Sequence, residues 1–114
     1  MTDRQTFEAM AKKWPEKYSA EYKPWGTELT IGDTEKIYGG LDGRITSDDY
    51  QFLAGEMGYV IEPRFDIYGR VFTGHIWNLA KEQRIAYTIS YDTMLQAMQA
   101  GFHKAVELAT KEDK

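Results

Sequence analysis

The stretch YVIEPRFDIYGRVFTGHIWNL, residues 59–79, holds two runs of β-branched and aromatic residues on either side of Tyr68 and Gly69. Two such runs around a glycine-bearing turn read as a β-hairpin, with Gly69 supplying the positive φ that the turn needs. Folding the chain about that turn sets Phe65 opposite Phe72 and Ile61 opposite Ile76 on one face. The other face then carries Val60 opposite Trp77, Glu62 opposite His75, and Arg64 opposite Thr73. One face is apolar and the other mixed and wet, the pattern of an antiparallel sheet covered on one side. Pro63 has no N–H for a neighbouring strand, so the first strand is expected at an edge or a bulge.

Toward the C-terminus, RIAYTIS (residues 84–90) reads as a third strand, over 84–89, with Ile85, Tyr87 and Ile89 directed inward. A helix over 91–109 follows, capped by Ser90. Tyr91, Leu95, Met98, Phe102, Ala105 and Ala109 recur at spacings of three and four, one continuous stripe. Gly101 inside that helix costs about 1 kcal/mol relative to alanine. The reason expected for it is close approach of a strand or another helix.

Upstream, GLDGRITSDDYQFL (residues 40–53) resembles the second half of a calcium-binding EF-hand loop. That loop needs oxygen ligands at its first, third, fifth and twelfth positions and glycine at its sixth. With Gly43 at the sixth, Asp42 fits the fifth, but the first is Tyr38, the third Gly40 and the twelfth Asp49 rather than Glu. The stretch therefore reads as a loop leading into a helix over 47–57. Thr46 or Ser47 caps it, Asp48 and Asp49 complement its positive end, and Gly58 stops it. Tyr50, Leu53, Ala54 and Met57 form its buried stripe.

Residues 24–45 carry five glycines and one proline and read as a Gly-rich loop or a short hairpin, ELTI against EKIY across GDT. Before them lies a helix over 3–14, with Thr2 and Gln5 as a capping box and Phe7, Met10, Ala11 and Trp14 as its apolar stripe. Pro15 bends or ends that helix, and PEKYSAEY is expected to restart it for a turn or two. The fold expected is one α+β domain, an antiparallel sheet of three or more strands against the C-terminal helix, with an N-terminal helix and a short central one.

Composition narrows the function classes. The chain has 114 residues, 42% hydrophobic and 28% charged, which suits one folded domain rather than disorder. No apolar run approaches the roughly 18 residues that span a bilayer, and MTDRQTFEAM has neither a basic nor an apolar signal region. Cysteine is absent, which removes thiol chemistry and suits a reducing cytoplasm. The net charge of −4 and the lack of a basic cluster beyond Lys12 and Lys13 disfavour nucleic acid as a partner.

Chemical signatures are sparse. His75 opposite Glu62 can act as general base and orienter, or simply pair across the wet face. His103 stands near Lys104 and Glu107 on a solvated helix face. The histidines share no metal-ligand spacing, no phosphate loop or nucleophile elbow is present, and neither catalytic residue, metal nor cofactor is assigned. Sixteen aromatic side chains (eight Tyr, five Phe, three Trp) exceed what one small core easily buries. The expected contact surface is therefore the exposed sheet face of Trp77, His75, Glu62, Arg64, Val60 and Thr73, or the Gly-rich segment with Trp25 and Tyr38. Alternatively, Phe7 and Trp14 of the N-terminal helix cover that face. The partner expected is a protein, and an open sheet edge allows a homodimer.

The C-terminal pattern ISYDTMLQAMQAGFHKAVELA resembles the strand-then-TYEEALEAGIKEALEL ending of small uncharacterised proteins of phages, prophages and mobile elements in gut Bacteroidetes. Ser90, Tyr91, Leu95, Ala97, Gly101, Ala105 and Leu108 fall at its cap and apolar positions, and Asp92 and Thr93 replace its two Glu. The resemblance covers residues 59–109 and implies a phage or mobile-element origin. The three-strand-then-helix half is also similar to HicB-type antitoxins, and the alternative expected is an antitoxin-like or inhibitor-like protein that binds and blocks a basic protein, which the acidic charge balance suits. The stretch after the helix, TKEDK, does not read as a DNA-binding module, so a repressor role is not expected.

Overall fold

The computed structural model describes residues 2–24, 26–32, 35–40 and 45–112, with 35–40 and 112 as backbone only. The elements in chain order are α1 (Asp3–Lys13), β1 (Tyr18–Lys23), β2 (Gly26–Ile31), β3 (Glu35–Gly40), α2 (Ser47–Glu56), β4 (Tyr59–Asp66), β5 (Val71–Asn78), β6 (Gln83–Tyr87) and α3 (Met94–Glu112). The fold class is α+β. Among the described residues the strands form two three-stranded antiparallel sheets, ordered β1-β2-β3 and β4-β5-β6. The contacts divide the chain into two units, residues 1–45 with 110–114, and residues 46–109.

In the first unit, Thr2 and Gln5 form the expected reciprocal capping box, at 3.1 and 2.9 Å. Phe7 and Met10 are fully buried, and α1 packs on β1 and β2. The helix ends at Lys13. Trp14 then takes φ −127° and ψ 68°, because the ring of Pro15 disfavours helical backbone before it. The helix does not restart: Tyr18–Lys23 is a strand, paired with β2 from Tyr18↔Ile31 to Lys23↔Gly26. Tyr18, Ala20 and Tyr22 alternate with Ser19, Glu21 and Lys23, a period of two that outweighs the local helix preference. The ELTI–EKIY hairpin is present, with Leu29 opposite Ile37. Tyr38 and Gly40, the would-be first and third calcium positions, lie in β3, and residues 41–44 fall outside the described residues.

In the second unit, α2 starts with a capping box of Thr46 and Asp49 and gives way to Gly58 at φ 88°. Tyr50, Leu53 and Ala54 are buried as expected, whereas Met57 is half-buried. The register of β4 on β5 is the one the sequence implies at all five pairs, from Val60↔Trp77 to Phe65↔Phe72. β4 is an edge strand, as Pro63 requires. The turn differs from expectation. It spans residues 67–70, is braced by the Asp66 side chain accepting from the Tyr68 N–H, and takes its positive φ at Arg70 (55°), not at Gly69.

Helix α3 lies close on the β4–β5 face that carries Ile61 and Ile76. A Cβ on Gly101 would stand 2.6 Å from Ile61 Cγ2, and one on Gly74 would stand 2.6 Å from the Ala97 carbonyl oxygen. Gly101 thus has the packing reason its sequence position implied. The helix starts later than Ser90 suggested. Tyr91 exchanges both backbone hydrogen bonds with Phe72, at 2.7 and 2.8 Å, which keeps the chain extended, and Thr93 with Gln96 caps instead. Tyr91 therefore leaves the helical stripe, and Leu95 is exposed. Ala97, Met98, Phe102, Ala105, Val106 and Ala109 are buried.

Three inward assignments fail. Ile85, Tyr87 and Ile89 are exposed, at 38%, 67% and 74%. Tyr87 pairs with His75 and Ala86 with Ile76, and a bulge between Ile76 and Trp77 shifts the register before Arg84. The inward positions are thus Ala86 and Thr88, small residues where α3 comes nearest the sheet; Thr88 Cγ2 sits 3.4 Å from a Cβ placed on Gly74. Phe65, expected in the core, is 53% exposed. It pairs with Phe72, rings 5.0 Å apart, one step nearer the turn than Gly74, where the first turn of α3 already lies.

The edge of β4 is covered by a side chain rather than a strand. Gln51 of α2 donates to the Ile61 carbonyl at 2.6 Å and accepts from its N–H at 2.8 Å. Replacing Gln51 with Ala is expected to cost about 1–3 kcal/mol, because both Ile61 backbone groups lose their partner. Urea unfolding and faster exchange of the Ile61 amide check this; a stability equal to that of the parent chain contradicts it.

Candidate functional site: the open face of the second sheet

The face of β4–β5–β6 opposite α3 gathers the residues that the hairpin register places together. Val60, Glu62, Thr73, His75 and Trp77 are half-buried and Arg64 is exposed. Two side chains join them that sequence reasoning missed, Arg84 and Tyr87 of β6. The phase of β6 follows from its pairing with β5 and from the bulge, and no local apolar alternation reveals it. Of the other expected contact residues, Tyr38 lies in β3 of the first unit, where only backbone is described, and Trp25 falls outside the described residues.

Two small networks hold the face. In the first, Glu62 Oε1 accepts from Trp77 Nε1 and from Arg64 Nε, each at 3.0 Å. The Trp77 bond joins β5 to β4 and fixes the indole against the sheet, and the Arg64 bond stays within β4. They also hold the Glu62 carboxyl below its ordinary value of 4.5, chiefly through the Trp77 bond, with Arg64 and His75 adding to it and burial opposing it.

In the second network, Arg84 Nη1 stands 3.1 Å from His75 Nδ1. The imidazole stacks on the Tyr87 ring at 5.9 Å and 27°, and the guanidinium carbon lies 5.8 Å from the Tyr87 ring centre. Arginine only donates, so Nδ1 accepts and the proton of the neutral ring sits on Nε2. Burial first, then the charges of Arg64 and Arg84, pull the His75 pKa below its ordinary 6.5, against Glu62. Glu62 does not orient His75: its bonds run to Trp77 and Arg64, and His75 bonds to Arg84.

Both shifts act on stability in the same direction. A group whose folded pKa is depressed binds fewer protons in the native state than in the unfolded state, so stability rises with pH through that window. Stability is expected to fall as pH drops below about 6.5, where His75 contributes, and again below about 4.5, where Glu62 does. The chain carrying His75→Gln should show a flatter limb between neutrality and pH 5. Thermal unfolding against pH reads this out, and an unchanged limb contradicts it.

Among the described residues no group of three or more His, Asp and Glu is placed to hold a metal ion. No described helix is long and apolar enough to cross a membrane. No family model, curated protein or solved structure matches the chain.

Proposed function

We propose that the open face of β4, β5 and β6 is a protein-binding surface and that the chain acts as a non-enzymatic interaction module. The observation that carries this reading is the bracing of Trp77: its indole is hydrogen-bonded to Glu62 while the side chain remains half-exposed. A large aromatic group already fixed in place loses little freedom on binding, which is what makes an efficient anchor. Around it stand Tyr87, Arg64 and Arg84, and tyrosine and arginine, with tryptophan, are the residue types that dominate binding energy at protein interfaces. Exposed Ile85 and Ile89 add apolar area on the β6 side.

The test is affinity capture from host lysate with the tagged chain, with and without nuclease, read by mass spectrometry. A stoichiometric protein that survives nuclease is expected. Trp77→Ala should weaken its retention by about 30-fold, the effect of losing an anchor worth roughly 2 kcal/mol. Far-ultraviolet circular dichroism and the melting curve confirm that the variant folds, and Trp77→Phe keeps the ring without the Glu62 bond. Recovery that vanishes with nuclease, or retention indifferent to Trp77, overturns the proposal.

A further inference from the structure

We infer that the partner presents an acidic segment to this face, with a carboxylate seated on the guanidinium of Arg84. The inference rests on the protein-binding reading above and names the chemistry of the occupant.

The charges of the face are unequally matched. Glu62 satisfies Arg64 directly, at 3.0 Å, and binds Trp77 with the same oxygen. Arg84 has a different setting. Its contacts are a neutral imidazole and an aromatic ring, and among the described residues no carboxylate pairs with it. A guanidinium carries five N–H donors in a planar fork, and the bond to His75 uses one of them. The fork matches a carboxylate in a two-point contact that no described group of the chain supplies. Arg84 is exposed, and exposed Tyr87 and Ile85 flank it, so an acidic side chain next to an apolar one fits both features.

The alternative polyanion, a single-stranded nucleic acid, fits less well. It would stack on Trp77 and Tyr87 but would run a line of phosphates over a chain of net charge −4. One carboxylate requires only one guanidinium.

His75 makes the contact responsive to pH. The charged and titratable groups that face it are Glu62 and Arg64 from β4 and Arg84 and Tyr87 from β6. In the free chain, two guanidinium groups oppose a proton on the imidazole. A carboxylate on Arg84 offsets one of them, so binding favours protonation and protonation favours binding, by reciprocal linkage. Affinity for the acidic partner therefore rises as pH falls below about 6.5, the ordinary histidine value from which His75 is depressed in the free chain.

The test is selection of a random displayed peptide library on the immobilised full-length chain, alongside Arg84→Gln, Arg84→Lys and Trp77→Ala. The parent chain is expected to enrich peptides with Asp or Glu beside aromatic or aliphatic residues. A synthetic peptide of the enriched sequence should bind Arg84→Gln at least about tenfold more weakly, bind Arg84→Lys with intermediate strength, and bind the parent more tightly near pH 6 than near pH 8. The Arg84→Gln change lies on the surface, and an unchanged melting curve verifies its fold. Enrichment of basic peptides, an acidic preference that survives Arg84→Gln, preferential binding of a labelled single-stranded oligonucleotide, or no enrichment at all overturns the inference. Enrichment of uncharged apolar peptides that Trp77→Ala abolishes overturns it too, while leaving the interaction reading standing.

Discussion

Replacing Gly74 with alanine is expected to lower stability by about 2–3 kcal/mol, the upper part of the range for overpacking a close-packed site. The added Cβ would sit 2.6 Å from the backbone carbonyl oxygen of Ala97. A flexible side chain can rotate away from such a clash, but a carbonyl in the first turns of α3 cannot move without the helix. Alanine also favours a strand more than glycine does, so the sign of the effect rests on the contact alone. Gly55→Ala is the control. Nothing lies within 4 Å of a Cβ there, and its place within α2 predicts a gain of up to about 1 kcal/mol. Urea unfolding of the two variants reads out the contrast; equal stabilities would mean that α3 does not seat at Gly74.

Phe102→Ala is expected to cost more, about 3–5 kcal/mol. Its ring is fully buried, lies 5.3 Å from the Tyr50 ring of α2, and belongs to the face by which α3 joins its unit. Domains of this size are stable by only about 5–15 kcal/mol, so the variant approaches the limit of folding at room temperature. Phe65→Ala, at a side chain 53% exposed, should cost less than half as much. The apolar alternation of β4 ranks Phe65 with the core, so the comparison distinguishes the two readings directly. A Phe65→Ala penalty as large as that of Phe102→Ala would restore the sequence-based assignment.

Features with a local cause were legible. The capping box at Thr2 follows from side chains three residues apart, Thr46 is one of the two caps the sequence offers for α2, and the left-handed stop at Gly58 follows from one residue type. The register of β4 on β5 was legible because one short turn separates the strands, and the alternation on either side leaves one pairing. Gly101 stood out as an unfavourable residue in an otherwise good helix, and contact with Ile61 explains it.

Features set by packing partners distant in sequence were not legible. The start of α3 depends on Tyr91 pairing with Phe72, nineteen positions earlier, which holds the chain extended past Ser90. The inward side of β6 depends on how close α3 comes, and that space accepts Ala86 and Thr88 rather than Ile85 and Tyr87. The candidate site divides along the same line. Its β4 and β5 residues came from the hairpin register, while Arg84 and Tyr87 required the third strand to be in place. The positive φ at Arg70 instead of Gly69 has a smaller cause: the Asp66 side chain closes the turn one residue earlier than a two-residue loop would.

The most direct test of the central claim is a nuclear magnetic resonance titration of the chain, labelled at tryptophan, with the protein recovered by capture. The Trp77 indole N–H resonance is assigned with Trp77→Phe, and it reports the bond to Glu62 at the centre of the open face. The account predicts that this resonance shifts or broadens on addition of the partner while the indole signal of Trp14, in the first unit, stays in place. A Trp77 signal that does not move while the partner binds would place the contact elsewhere and contradict the account.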